Sequence, residues 1–213
     1  MTKTAKFWDK VARKYSRDDI KDVASYEYTL ERTRSYIKPT DRVLELGAGT
    51  SSTALLLAES AGSYLSSDIS PEMVAIGHEK LAASNIDNLH IEVGDLDRFT
   101  KQDAHFDVVM GFNLFHLTQA PEQAFKDINA MLPVGGLFIS KTVCLADEAH
   151  FLKRLMFRIA IPVMTTLGFV PKPVHMFKIA AFDAMVEAAG FDIIENGNHP
   201  ASPPSRYIVA RKV

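Results

Sequence analysis

Five short apolar runs, each followed by a longer stretch of different periodicity, constrain this chain more than any other feature. They are Arg42 to Leu46, Ser63 to Ser67, Leu89 to Val93, Phe106 to Met110 and Gly136 to Thr142. Runs of that length bounded by Gly, Asp or Ser read as strands. Ser51 to Ser60, Pro71 to Ser84 and Pro121 to Met131 read as helices between them, two opening on proline at a first-turn position. Such alternation predicts an α/β fold, a mostly parallel sheet with helices on both faces. At 213 residues, a single domain over 1–213 is expected, with no repeat or linker dividing it.

Two segments leave that rhythm. Trp8, Val11, Ala12 and Tyr15 recur at helical spacing and Ser25 to Ile37 suits a second helix, so about 1–38 reads as a helical cover. From about 147 to 178 lies an insertion, in which Phe151, Leu152, Leu155, Met156 and Ile159 form an apolar stripe beside Lys153, Arg154 and Arg158. Pro162, Gly168, Pro171 and Pro173 then break the pattern. Beyond it, Ile179 to Ala189 reads as a helix ended by Gly190. Phe191 to Asn196 and Arg206 to Arg211 read as strands whose short Pro- and Asn-rich connection forces an antiparallel C-terminal pairing.

Composition narrows the function. A formal charge of −2 and a pI near 6.4 leave no broad basic field for a phosphate backbone, so nucleic acid is not an expected partner. One cysteine, Cys144, rules out an intramolecular disulfide framework, and MTKTAKFWDK lacks the apolar core of a signal peptide; a cytoplasmic location is expected. No apolar run approaches the roughly 20 residues of a membrane span.

The glycine-rich turn after the first strand, Gly47-Ala48-Gly49-Thr50-Ser51-Ser52, lets backbone approach a ligand without Cβ atoms in the way. Ser52 stands where a dinucleotide fingerprint needs a small Gly or Ala. Glu45, two residues before the first glycine, suits a cationic ligand better than a pyrophosphate.

Here the chain resembles the class I S-adenosylmethionine-dependent methyltransferases, in their quinone-biosynthesis-like, small-molecule branch. The resemblance lies in VLELGAGTS (Val43 to Ser51), SSDISPEMV (Ser66 to Val74), EVGDLDRF (Glu92 to Phe99), FDVVMGFNLFHL (Phe106 to Leu117) and INAMLPVGGLFI (Ile128 to Ile139), in family order and at family spacing. It implies a three-layer Rossmann-like sandwich with a seven-stranded sheet, and S-adenosyl-L-methionine as cofactor. By the same resemblance, Gly47 and Gly49 pass beneath the methionine part and Glu45 lies on its amino-group side. Asp68 accepts from both ribose hydroxyls, Ile69 and Met73 line the adenine pocket, and Asp95 with Leu96 meets the adenine edge. Asn113 lies near the transferred methyl, and Tyr15, with Ala12 in an A-x-x-Y pattern, closes over the cofactor. Ser51 replaces a frequent third glycine, and Pro133 stands one position early in the turn before the fifth strand. In isolation each residue also has a plain reading: Asp68 and Asp95 as helix caps, Ile69 and Met73 as core, Trp8 and Tyr15 as packing.

His116, at the carboxyl edge where such sheets bind ligands, is the candidate general base, with packing against the cofactor as the competing reading. His150 and His175 flank the insertion, and Cys144 reads as buried filler. No Cys/His spacing suggests a metal. Leu114 follows Asn113 where an N-P-P-[YF] signature would mark amide or nucleobase methylation, so those acceptors are disfavoured. The insertion, with Phe157 and Met164 added to its stripe, is expected to form an apolar lid over the acceptor. The leading expectation is therefore methyl transfer to a small, apolar or amphipathic acceptor. A membrane-surface enzyme acting on phospholipid or quinone, docked through 150–164, is the alternative, and a nucleotide-binding scaffold without transfer activity the second. Packing of the stripe on the sheet or in a homodimer stays open.

Overall fold

The structure is a computed structural model that describes residues 2–101 and 105–213. Seven strands form one sheet: β1 (Arg42–Leu46), β2 (Ser63–Asp68), β3 (Leu89–Val93), β4 (Val108–Phe112), β5 (Leu137–Val143), β6 (Phe191–Ala201) and β7 (Pro204–Lys212). Their order is β3-β2-β1-β4-β5-β7-β6. β1 to β5 pair parallel, and β7 inserts antiparallel between β5 and β6. The predicted layered α/β architecture and its antiparallel C-terminal strand are present.

Consecutive apolar residues on the central strands point to opposite faces and find cover on both, which is why these strands read as continuous apolar runs. Leu44, Val109, Phe138 and Ile208 face a core closed by Phe99, Phe125, Ile128, Phe182 and Val186. Val43, Val108, Ile139 and Val209 face the other, closed by Ala54, Leu57 and Val74. The first core lies under α5 (Leu96–Lys101), α6 (Pro121–Met131) and α8 (Ile179–Ala188), the second under α3 (Ser52–Leu57) and α4 (Pro71–Ala82).

The N-terminal cover is two helices, α1 (Lys3–Tyr15) and α2 (Val23–Tyr36), with α7 (Phe151–Thr166) in the insertion. Thr2 caps α1 by accepting from Ala5 N, and Asp22 caps α2 by accepting from Ser25 N. α1 docks on α4 from the outside. Asp9 Oδ1 accepts from Ser70 Oγ at 2.6 Å and Glu72 N at 3.1 Å, and Trp8 packs on Met73, Ile76 and Ala12.

Three sequence expectations change. The connection between the last two strands is a tight turn, with pairing continuing to Ala201↔Pro204. Pro200 can lie in β6 because β6 is an edge strand and need not donate there. Pro162 does not end the insertion helix, which runs on to Thr166 with Thr165 and Thr166 hydroxyls donating to the Ile161 and Pro162 carbonyls. α5, which the plain reading of Asp95 as a helix cap implied, had no range in the sequence, since six residues are too few to display a helical period.

Candidate functional site

The chain reverses between β1 and β4, the two central strands whose helices lie on opposite faces, and ligands bind such sheets outside that point. The glycine turn occupies it. Gly47, Gly49 and Ser51 have φ of 61°, 57° and 57°, so every second residue is left-handed. Glycine adopts this without strain; Ser51 is held by burial and by a 2.8 Å bond between its Oγ and Ser66 Oγ. A Cβ on Gly47 would meet Leu114 Cδ1 at 2.7 Å, whereas one on Gly49 would meet only the Tyr15 ring, at 3.7 Å. The space a side chain would fill at Gly49 is thus open except for Tyr15.

The turn is tied to β2. Ala48 N donates to Ser67 O, Gly49 N donates to Asp68 Oδ2 at 2.9 Å, and Asp68 Oδ1 accepts from Ser70 N at 2.8 Å. Ser70, not Asp68, caps α4, by accepting from Met73 N. Asp68 is therefore buried beside the turn with its second lone pairs still available.

Glu45 is 2% exposed, with Oε2 accepting from the Tyr64 hydroxyl at 2.7 Å. Burial pushes its pKa up to about 7, opposed by the Tyr64 bond and reinforced by Asp68. Asp68 is raised too, chiefly by burial, against the bonds from Ser70 and Gly49. The Tyr15 hydroxyl is raised by desolvation and by the Asp68 and Glu45 charges. Two desolvated carboxyls, Glu45 and Asp68, thus stand beside the turn.

Beside this turn lies a cavity of about 780 Å³. Gly47, Gly49 and Glu45 stand on one side; Phe112, Asn113, Lys141 and Val143, at the carboxyl ends of β4 and β5, stand on the other. The covering segments are residues 15–22, between α1 and α2, and the β6–β7 turn with Pro200 and Pro203. Asn113, with φ 55°, donates its N–H to Lys141 O at 2.7 Å. Lys141 Nζ lies 3.3 Å from Thr29 Oγ1 and 3.5 Å from Ser25 O, and burial lowers its pKa against the pull of Asp22. Sequence reasoning missed Lys141 and the β6–β7 turn, because only the antiparallel return of β7 brings that turn over the ends of β4 and β5.

The cavity brings together Tyr15, Glu45, Gly47, Gly49 and Asn113; Asp68 lies behind the turn, bonded to Gly49 N, and it, Ile69, Met73, Asp95, Leu96 and His116 do not stand on the wall. Met73 is buried between α1 and α4, because the cover helix docks there. Ile69 is half-buried at the end of β2. Asp95 is exposed and accepts from Arg98 N at 3.1 Å, and Leu96 packs against the Phe99 core. His116 lies in a short turn (Phe115–Leu117) turned toward His175, whose N–H donates to its carbonyl at 2.7 Å. Its Nδ1 is buried with no hydrogen-bond partner among the described residues, and desolvation, then His175, lowers its pKa to about 4. This is a poor position for a general base. His175 Nε2 is 2.9 Å from Thr118 O, and His150 is exposed. The Cys144 thiol is buried and pushed up to about 12, as inert filler requires. No residue of α7, the helix of the expected acceptor lid, stands on the wall of this cavity.

Residues 43–136, the segment that carries the turn, Glu45, Asp68 and Asn113, match the family model of the methyltransferase domain. Over those residues, a little under half of its length, the chain is similar to the methyltransferase domain. The N-terminal cover, α7 and the β6–β7 pair lie outside the matched residues. The chain is 32% identical over 108 residues to a demethylmenaquinone methyltransferase of Mycobacterium marinum, covering 49% of this chain and 44% of that protein. It is 23% identical over 143 residues to a protein-L-isoaspartate O-methyltransferase of Picosynechococcus, covering 67% and 62%. It therefore spans less than two thirds of these relatives' own length. Over 99% of its length it superposes on magnesium protoporphyrin IX methyltransferase from Synechocystis, solved with bound SAH, with TM-score 0.69 and 16% identity, covering 96% of that chain. That likeness concerns the fold.

Proposed function

We propose that this protein transfers a methyl group from S-adenosylmethionine to an amphipathic small-molecule acceptor. The observation that carries the reading is the pairing of a bare left-handed glycine turn with two desolvated carboxyls, Glu45 and Asp68, at the carboxyl edge of the sheet. That set suits the cofactor. Gly47 and Gly49 offer backbone to its amino-acid part, Glu45 faces its ammonium, and Asp68 retains lone pairs for the ribose hydroxyls. Tyr15, resting over Gly49, covers it from the side of α1. Asp95 and Leu96 follow β3, whose Val93 pairs with Asp68, and in this reading they meet the adenine edge although they stand off the cavity wall. S-adenosylmethionine supplies a methyl activated on a sulfonium, so the chain's own task is orientation and exclusion of water.

The acceptor end belongs over β4 and β5. Phe112, Val143 and the two turn prolines offer apolar surface, and Lys141 offers one desolvated cation. An acceptor whose nucleophilic oxygen or carbon carries negative charge beside an apolar body meets both. Lys141 would hold such an anion by a charge-assisted hydrogen bond, with no dedicated base needed. The M. marinum relative, a demethylmenaquinone methyltransferase, is consistent with an apolar acceptor.

Calorimetric titration with S-adenosylhomocysteine, with NAD as control, tests the cofactor. Saturable binding of the first alone is expected; binding of NAD alone, or of neither, rejects the reading.

A further inference from the structure

α7 carries its apolar side outward. None of its residues is buried, and Leu152, Met156, Ile159, Val163 and Leu167 (the residue that ends it) are 52–77% exposed. At about 100° per residue these five fall within one sector of roughly 80°. The half-buried residues, Arg154, Phe157, Ala160, Ile161 and Thr165, lie on the other side. Monomeric proteins in water rarely expose a contiguous apolar face, and one that does marks a docking site.

Charge identifies the partner. Residues 149–178 hold Lys153, Arg154, Arg158, Lys172 and Lys178 and no Asp or Glu, in a chain whose formal charge is −2. Lys153 lies about 40° beyond one edge of the outward apolar sector and Arg158 about 100° beyond the other, on either side of it, from where long side chains can reach headgroups while the helix sinks its apolar face. A second copy packed symmetrically through α7 would instead face basic groups with basic groups, with no carboxylate in the segment to pair them. Among the described residues no helix is long and apolar enough to cross a membrane, so the helix would lie in the interface plane.

We propose that α7 docks this protein on an anionic lipid surface. α7 leaves the sheet from the carboxyl end of β5, the edge at which Lys141 and Val143 line the cavity. Docking therefore holds the cavity edge near the bilayer, where an amphipathic acceptor partitions. This last step rests on the acceptor reading above; docking itself does not.

The experiment is co-sedimentation of the full chain with vesicles of phosphatidylcholine alone or mixed with phosphatidylglycerol, alongside light scattering to read mass. The protein is expected to pellet with the anionic vesicles only, and to be released by high salt. Lys153→Gln with Arg158→Gln should weaken partitioning about 30-fold. Leu152→Ser with Ile159→Ser should abolish it. Far-UV circular dichroism and S-adenosylhomocysteine affinity should stay unchanged in both variants, which separates docking from folding and from the methyl-transfer reading. No pelleting, equal pelleting with both vesicles, or a dimer that the serine variant converts to monomer would each overturn the proposal.

Discussion

Glu45 makes cofactor affinity depend on pH with a sign and size that follow from its burial. Its pKa stands at about 7 against an ordinary 4.5. A ligand carrying ammonium and sulfonium charges beside it returns the carboxyl toward the ordinary range, so binding releases a proton. The free protein holds that proton in about nine molecules of ten at pH 6 and one in ten at pH 8, so affinity for S-adenosylmethionine should rise about tenfold across that interval. Calorimetry in buffers of different ionisation heat counts the proton directly, with release of about 0.9 expected at pH 6 and about 0.5 at pH 7. Glu45→Gln still offers Tyr64 an acceptor, so the fold should survive and the pH dependence vanish. The apoprotein should show the converse. A raised folded pKa contributes stability below pH 4.5 that is lost as pH rises through 7, so Glu45→Gln should be more stable than the parent at pH 8, by up to about 3 kcal/mol, and not at pH 4. Wild-type affinity independent of pH, or an equal slope in the Gln variant, would refute the reasoning.

Asp68→Ala removes the acceptor shared by Gly49 N and Ser70 N. Affinity for S-adenosylhomocysteine should drop at least about tenfold by calorimetry, in line with lost hydrogen bonds to a charged group; an unchanged value removes Asp68 from the site. Lys141→Met should raise the acceptor KM while leaving S-adenosylhomocysteine affinity untouched, and equal loss of both would return Lys141 to a structural role. His116→Gln should leave the pH–rate profile above pH 6 as it was, because His116 stands off the cavity wall and is neutral there. Loss of one limb of that profile would restore it as the base. The same depressed histidine favours the neutral folded state, so stability should be lost as pH falls from 6.5 toward 4, and thermal melts of His116→Gln should lack that component.

What the sequence determined by itself is local and periodic. β1, β3 and α6 have the bounds read from apolar runs and proline placement, because strand and first-turn signals act within a few residues. The glycine turn was legible for the same reason: left-handed φ at Gly47 and Gly49 is a property of residue type. Glu45 was legible from its spacing to that turn and Asp68 through the family resemblance, though not their desolvation, which Tyr64 and the β2 pairing create.

Tertiary structure alone decided which walls close the cavity and which side of each helix faces water. Met73 looked like a pocket residue until α1 docked on α4 over it. The β6–β7 turn looked like a connection until β7 returned beside β5 and brought Pro200 and Pro203 over Lys141. α7 shows the limit most clearly. Its stripe was visible in the residues, and a lid over the acceptor was a fair reading of it. An apolar period states that a helix has a face to cover, while only its placement on the body decides whether protein or something outside the chain covers it.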